Sequence, residues 1–182
     1  RWCSHDEKAS ACHRSRPPPA SVAGRNVGAM ELRIGGHVDQ ADPVAEAAAR
    51  GATLSQFFLG DPQSYKGPVV QFAGGAAALK RAALDAGIDL YVHAPYPINV
   101  ASTNNRIRIP GRKLLQQHLH AAAEIGAKGD IVHGGHLGKD EDAAVGFDNW
   151  RKCVDGLDLP VPLLIENTAG GDNAMARRLE AI

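Results

Sequence analysis

Short apolar runs alternate with stretches of helical period along most of the chain. Strand candidates are 31–37, 53–58 (TLSQFF), 88–93 (IDLYVH), 130–133 (DIVH) and 161–166 (VPLLIE), each bounded by glycine, proline or charge. Between them the pattern predicts helices. Residues 42–50 open on Asp42-Pro43, a capping residue followed by proline at the first helical position. Residues 75–86 stop at Gly87 and 112–125 at Gly126, while 141–155 end before Gly156 and 173–181 follow the last strand. Strands alternating with helices over short connections imply parallel strands covered by helices. A run such as LPVPLLI suits a strand buried on both faces.

Two α/β architectures fit this alternation, an open doubly wound sheet and a (β/α)8 TIM barrel. The segment after the first strand, IGGHVDQADP, lacks the G-x-G-x-x-G phosphate fingerprint of the doubly wound class. Polar residues recur instead at strand ends: His37, His93, His133 and Glu166 each fall at or just past the C-terminal end of a predicted strand. In a barrel those ends share one face, where catalytic groups sit. Eight units of this repeat need roughly 260 residues. The 182-residue chain supplies about five of the eight βα units.

Composition adds the surroundings of that unit. Residues 1–29 have no hydrophobic periodicity, contain the run Arg16-Pro17-Pro18-Pro19 and carry five Lys/Arg against two Asp/Glu. They read as a disordered N-terminal extension, with Met30 as the natural start and 30–182 as the partial barrel. The formal net charge is zero, so any basic surface is local. One such stretch is 103–113, TNNRIRIPGRK, read as a loop carrying Arg106, Arg108, Arg112 and Lys113 without an acid. A solvated loop is its plainest role. The three cysteines form no disulfide framework, and Cys3, His5, Cys12 and His13 match no usual zinc spacing. No window has the length of a membrane span and residues 1–29 lack a signal-peptide core, so a cytoplasmic protein is expected.

The strand-end residues are chemically suggestive. His93, His133 and Glu166 are two imidazoles and a carboxylate from three successive strands, and neighbouring strands lie about 4.8 Å apart. Two histidines and a glutamate with an open position is a catalytic zinc composition. Each imidazole could equally be a structural hydrogen-bonder, whereas a carboxylate after the apolar run 162–165 needs a partner. His136 in the loop, His37, Gln56 and Asn167 at other strand ends are candidates for substrate contact, support of the ligands or simple capping. His118 and His120, in the helix LLQQHLHAAAEIG, are expected on the surface.

Five stretches, IGGHV at 34–38, QFF followed by DPQSY at 56–65, HAPYPINVAS at 93–102, IVHGGH at 131–136 and IENTAG at 165–170, together resemble endonuclease IV, the metal-dependent apurinic/apyrimidinic (AP) endonucleases of base-excision repair. The resemblance runs in order over about 30–182. It implies a TIM barrel that binds three zinc ions, with manganese as the alternative metal, and cuts double-stranded DNA 5′ to abasic sites as a monomer. By resemblance His93 and His133 are zinc ligands, Glu166 is the carboxylate bridging two zincs through which catalysis runs, and Tyr96 enters DNA beside the lesion. Arg106 and Arg108 would then follow phosphates. Gln63 stands where the family usually has an arginine associated with intercalation, so the DNA contact expected there falls to Gln63, Tyr65 or a neighbour. The resemblance places the remaining ligands on strands six to eight. This chain then holds ligands for one metal plus the bridging carboxylate, with strands one and five as open edges, and is expected to be inactive alone. A xylose-isomerase-like sugar isomerase or epimerase shares the barrel and its strand-end ligands. A non-catalytic lesion-binding fragment is the third reading.

Overall fold

The computed structural model describes residues 32–167, 171 and 173–178. Five strands form one parallel sheet: β1 (Gly35–His37), β2 (Leu54–Phe58), β3 (Asp89–His93), β4 (Asp130–His133) and β5 (Leu163–Glu166). They lie in strictly sequential order, β1-β2-β3-β4-β5. A doubly wound sheet reverses its strand order at a switch point, whereas a barrel steps one strand at a time. The sequential order therefore selects the barrel architecture over its rival. Register aligns the strand ends: Phe58 pairs with His93, and His133 with Glu166.

Helices α1 (Pro43–Ala49), α2 (Gly75–Ala86), α3 (Asn105–Glu124) and α4 (Ala143–Val154) form the crossovers. Their starts are chemically fixed. The Asp42 carboxylate accepts from Ala45 N, Asn104 from Arg106 N and Asp142 from Ala144 N, each satisfying an orphan donor of the first turn. One face of the sheet buries Phe57, Leu90, Val92 and Val132 together with Leu79, Leu115 and Leu119 of the helices. The alternate strand positions, Gln56, His93, Ile131 and His133, line the opposite face and an open cavity there.

Four expectations need correction. The stretch 103–113 is no loop: α3 begins at Asn105 and carries Arg106, Arg108, Arg112 and Lys113 on its first turns, despite Pro110. The Asn104 cap fixes that start, and Gly111 packs against the backbone of Ile98 and Asn99. His118 is buried, not exposed, on the face of α3 that also carries Leu114, Leu115 and Ala122. Residues 173–178 form turns and an isolated bridge from Ala174 to His136 instead of helix; 179–181 lie outside the described residues. Finally, β5 is not covered on both faces, since Leu164 and Ile165 are 37% and 38% exposed. Ile34, just before β1 at the other edge, is 61% exposed. The extension over 1–29 also lies outside the described residues.

Candidate metal centre

At the C-terminal ends of β3, β4 and β5, one ligand atom each from His93, His133 and Glu166 falls within 4.8 Å of the others. The parallel register produces this convergence. His133 and Glu166 are direct partners on adjacent strands, and His93 ends the strand on the other side of β4. His93 is buried, and its Nδ1 lies 2.7 Å from the Ala94 carbonyl oxygen. A carbonyl only accepts, so Nδ1 carries the proton and Nε2 is left facing Glu166 Oε2 at 3.0 Å. His133 Nε2 lies 3.8 Å from the same oxygen. Burial holds the His133 imidazole below its ordinary pKa, with His93 adding to that shift and the Glu166 charge opposing it. Its neutral form is the one that ligates metal.

These residues fit a divalent cation on two counts. The donor set is two histidines and one carboxylate, a composition characteristic of catalytic zinc. The Nδ1–carbonyl bond is the outer contact that fixes a ligating histidine's tautomer and aims its other nitrogen inward. A lone pair aimed at a carboxylate is repulsive unless a proton or a cation lies between them.

Aromatic rings surround the three donors. Phe58 lies 5.1 Å from His93 between ring centroids, and Tyr96 lies 5.6 Å from His93 and 5.4 Å from His133. His37 packs against Phe58 with the rings tilted at 54° and their centroids 4.5 Å apart, and desolvation lowers its pKa. At 6.1 Å between centroids from His93, it borders the cavity without joining the three-donor cluster.

Beside the centre runs an open groove of about 780 Å³, lined among others by Tyr65, Tyr96, Ile107, His136 and Asn167. Two bonds fasten its wall: Tyr96 N–H donates to the Pro62 carbonyl at 2.9 Å, and the Tyr65 hydroxyl to the Pro97 carbonyl at 2.8 Å. Of the residues singled out from sequence, Tyr96, His136 and Asn167 thus join the centre's surroundings. Gln63 is exposed and does not line the groove; its backbone N–H donates to Asp61. Arg106 and Arg108 also stand outside the lining, and Arg108 is bonded to Ser102 O and Asn105 Oδ1. Sequence reasoning missed Asn99, Asn149 and Trp150, which brace the loops. Trp150 Nε1 donates to the Gly134 carbonyl at 2.7 Å, and Asn149 Nδ2 to the carbonyls of Ala101 and Ser102. Isolated amides and a helical tryptophan carry no sequence signal for such roles.

A sequential parallel sheet with its polar cluster at the C-terminal strand ends is the arrangement of a TIM-barrel site. The chain belongs to the xylose isomerase-like TIM barrel family, whose pattern matches residues 44–182. Within it, the similarity lies with endonuclease IV. Proteins named "Probable endonuclease 4" from Mycobacterium tuberculosis and Mycobacterium bovis are 56% identical over 151 residues, covering 83% of this chain and 58% of each relative. The crystal structure of endonuclease IV from Thermus thermophilus superposes with a TM-score of 0.66 at 27% identity, over 80% of this chain and 56% of that one. A D-tagatose 3-epimerase-like protein superposes at 0.61 with 16% identity, over 81% of this chain and 58% of that one, a likeness of fold alone. The chain therefore spans 58% of the length of the curated relatives it matches. Among the described residues, no helix is long and apolar enough to cross a membrane.

Proposed function

We propose that this chain contributes five βα units to a zinc-dependent AP endonuclease, which hydrolyses the phosphodiester 5′ to abasic sites in double-stranded DNA. The observation carrying this reading is the convergence of His93, His133 and Glu166 within 4.8 Å, in a chain 56% identical to proteins named as endonuclease 4. His93, His133 and Glu166 would hold the zinc, with manganese as the alternative. When bound, the ion supplies Lewis acidity toward phosphate oxygens at neutral pH.

The chain's own groups have separate tasks. The Ala94 carbonyl keeps the His93 proton on Nδ1, so Nε2 is available as a donor. Glu166 turns Oε2 toward both histidines, while Oε1 has no hydrogen-bond partner among the described residues and is open to a neighbouring ion, as a bridging carboxylate requires. Tyr96, 46% exposed beside His133 on a loop stiffened by Pro95 and Pro97, would stack against unpaired DNA bases. Arg106, whose guanidinium makes no hydrogen bond among the described residues, is the stronger phosphate-contact candidate on α3; Arg108 is already engaged. Gln63, exposed on the neighbouring loop, is left as a peripheral DNA contact.

The test is a chimera in which this chain's matching residues replace those of a Mycobacterium relative. It should incise a duplex bearing one abasic site, lose incision with EDTA, and lose it on His133→Ala. An active chimera that ignores EDTA or His133→Ala, or one that folds, binds metal and leaves abasic DNA intact, would overturn the proposal.

A further inference from the structure

Two loops follow the strand-end histidines of the centre, and one buried side chain spans them. Asn99, on the loop after β3, is 6% exposed. Its Nδ2 donates to the His136 carbonyl at 2.8 Å, and its Oδ1 accepts from His136 N–H at 3.2 Å. This paired amide-to-backbone contact imitates a strand pairing between the loop that follows His93 and the one that follows His133. Nδ2 also lies 3.4 Å from His136 Nδ1, so the same amide sits against the His136 ring in the groove. Gly135 completes the fit. Its φ of +75° is left-handed, and a Cβ there would overlap Asn99 Oδ1, so only glycine lets the loop close on the amide.

We infer that Asn99 is the positioning residue of the metal centre: it latches the Gly134–His136 turn to the β3 loop and so sets where His133 stands relative to His93. The inference rests on the metal reading given above. The physical reason is one of constraint. His133 is the last residue of β4, so its backbone is held by the sheet on one side only. On the other side, the chain is held by Trp150 at Gly134 O, by Met175 N–H at Gly135 O and by Asn99 at His136. Of these three, Asn99 alone ties the segment directly to the loop that follows the other histidine. Removing the direct hydrogen-bond partner of a ligand typically costs a metal site about 10–100-fold in affinity, and a support acting through the neighbouring backbone should fall at the lower end of that range.

The experiment uses the 182-residue chain and Co2+ as probe, with affinity measured by chelator competition and the folded fraction by circular dichroism. Asn99→Ala should weaken Co2+ binding by about 10-fold or more among folded molecules. Asn149→Ala is the control: it also loses two buried hydrogen bonds, but both run from α4 to the β3 loop. It should lower the thermal midpoint and leave affinity within about twofold, well short of the loss expected of a support. Asn99→Ala matching Asn149→Ala in both readouts would overturn the inference. A metal-free readout keeps it separable from the metal reading. Hydrogen exchange at the His136 amide should speed up in Asn99→Ala, and unchanged protection refutes the latch. A parent chain that binds no Co2+, yet loses His136 protection in Asn99→Ala, would refute the metal reading and uphold the latch.

Discussion

Replacing Asp130 by asparagine isolates one buried proton. Asp130 is fully buried at the start of β4, neither carboxyl oxygen has a hydrogen-bond partner among the described residues, and desolvation pushes its pKa from 3.8 up to about 8. Between those values the folded chain keeps a proton that the unfolded chain has released, so stability falls as pH rises, by about 1.4 kcal/mol per unit. Buried His118, whose ring nitrogens likewise lack partners among the described residues, acts oppositely. Its pKa is lowered from 6.5 to about 4, so the unfolded chain binds the extra proton and stability rises with pH across that interval. The two slopes offset each other between about 4 and 6.5, where His37 and His133 add to the rise. The unfolded histidines are still half protonated at pH 6.5 and become neutral only by about pH 7.5, beyond which Asp130 acts alone. From pH 6.5 to 8 the expected loss is about 1 kcal/mol: the ceiling for one proton over one and a half units is about 2, reduced because Asp130 is half ionised by pH 8 and because the last histidine protons oppose it. Urea unfolding in EDTA at fixed ionic strength measures it, with stability taken at each pH. Asp130→Asn should flatten the decline above pH 6.5. A parent chain with no decline, or a decline that survives in Asp130→Asn, would refute the reasoning.

Trp150→Phe leaves the Gly134 carbonyl without its 2.7 Å donor and should lower unfolding stability by about 1–3 kcal/mol, read as a drop in urea midpoint at unchanged slope. Gly135→Ala combines left-handed strain of about 1–2 kcal/mol with overlap on Asn99, so thermal unfolding should shift down by more than the strain alone. In the chimera, Arg106→Ala should reduce the salt dependence of DNA binding by about one phosphate contact without altering stability. Arg108→Ala should instead destabilise the start of α3, where its bonds to Ser102 and Asn105 lie. The 182-residue chain alone should give no incision of abasic duplex, because among the described residues β1 and β5 each pair with one strand only and ligands for a single ion are gathered.

The barrel strands were legible because apolar runs stop at polar residues. His93, His133 and Glu166 stand out as the points where Leu90–Val92, Ile131–Val132 and Leu163–Ile165 end. The start of α3 was hidden by Pro110-Gly111, which reads as a breaker. The close approach of Gly111 to Ile98 and Asn99 is tertiary, and no local pattern announces it. His118 could have been placed correctly: it lies three and four positions from Leu115 and Leu114, and four before Ala122, on one helical face. Asp130 reads as a polar boundary to its strand, yet it faces the helices with Val132 because strand positions alternate. Asn99 acts only through a contact 37 residues away and leaves no trace in composition or period.

The direct measurement of the metal centre is a Co2+ titration of the metal-free 182-residue chain, followed by its visible absorption and checked by mass spectrometry under native conditions. One ion should bind with the intensity of a low-coordinate nitrogen and oxygen site, and both His133→Ala and Glu166→Gln should abolish that ion while leaving the circular dichroism unchanged. A Co2+ spectrum and stoichiometry that persist unaltered in His133→Ala would contradict the assignment of His93, His133 and Glu166 as one metal's ligands.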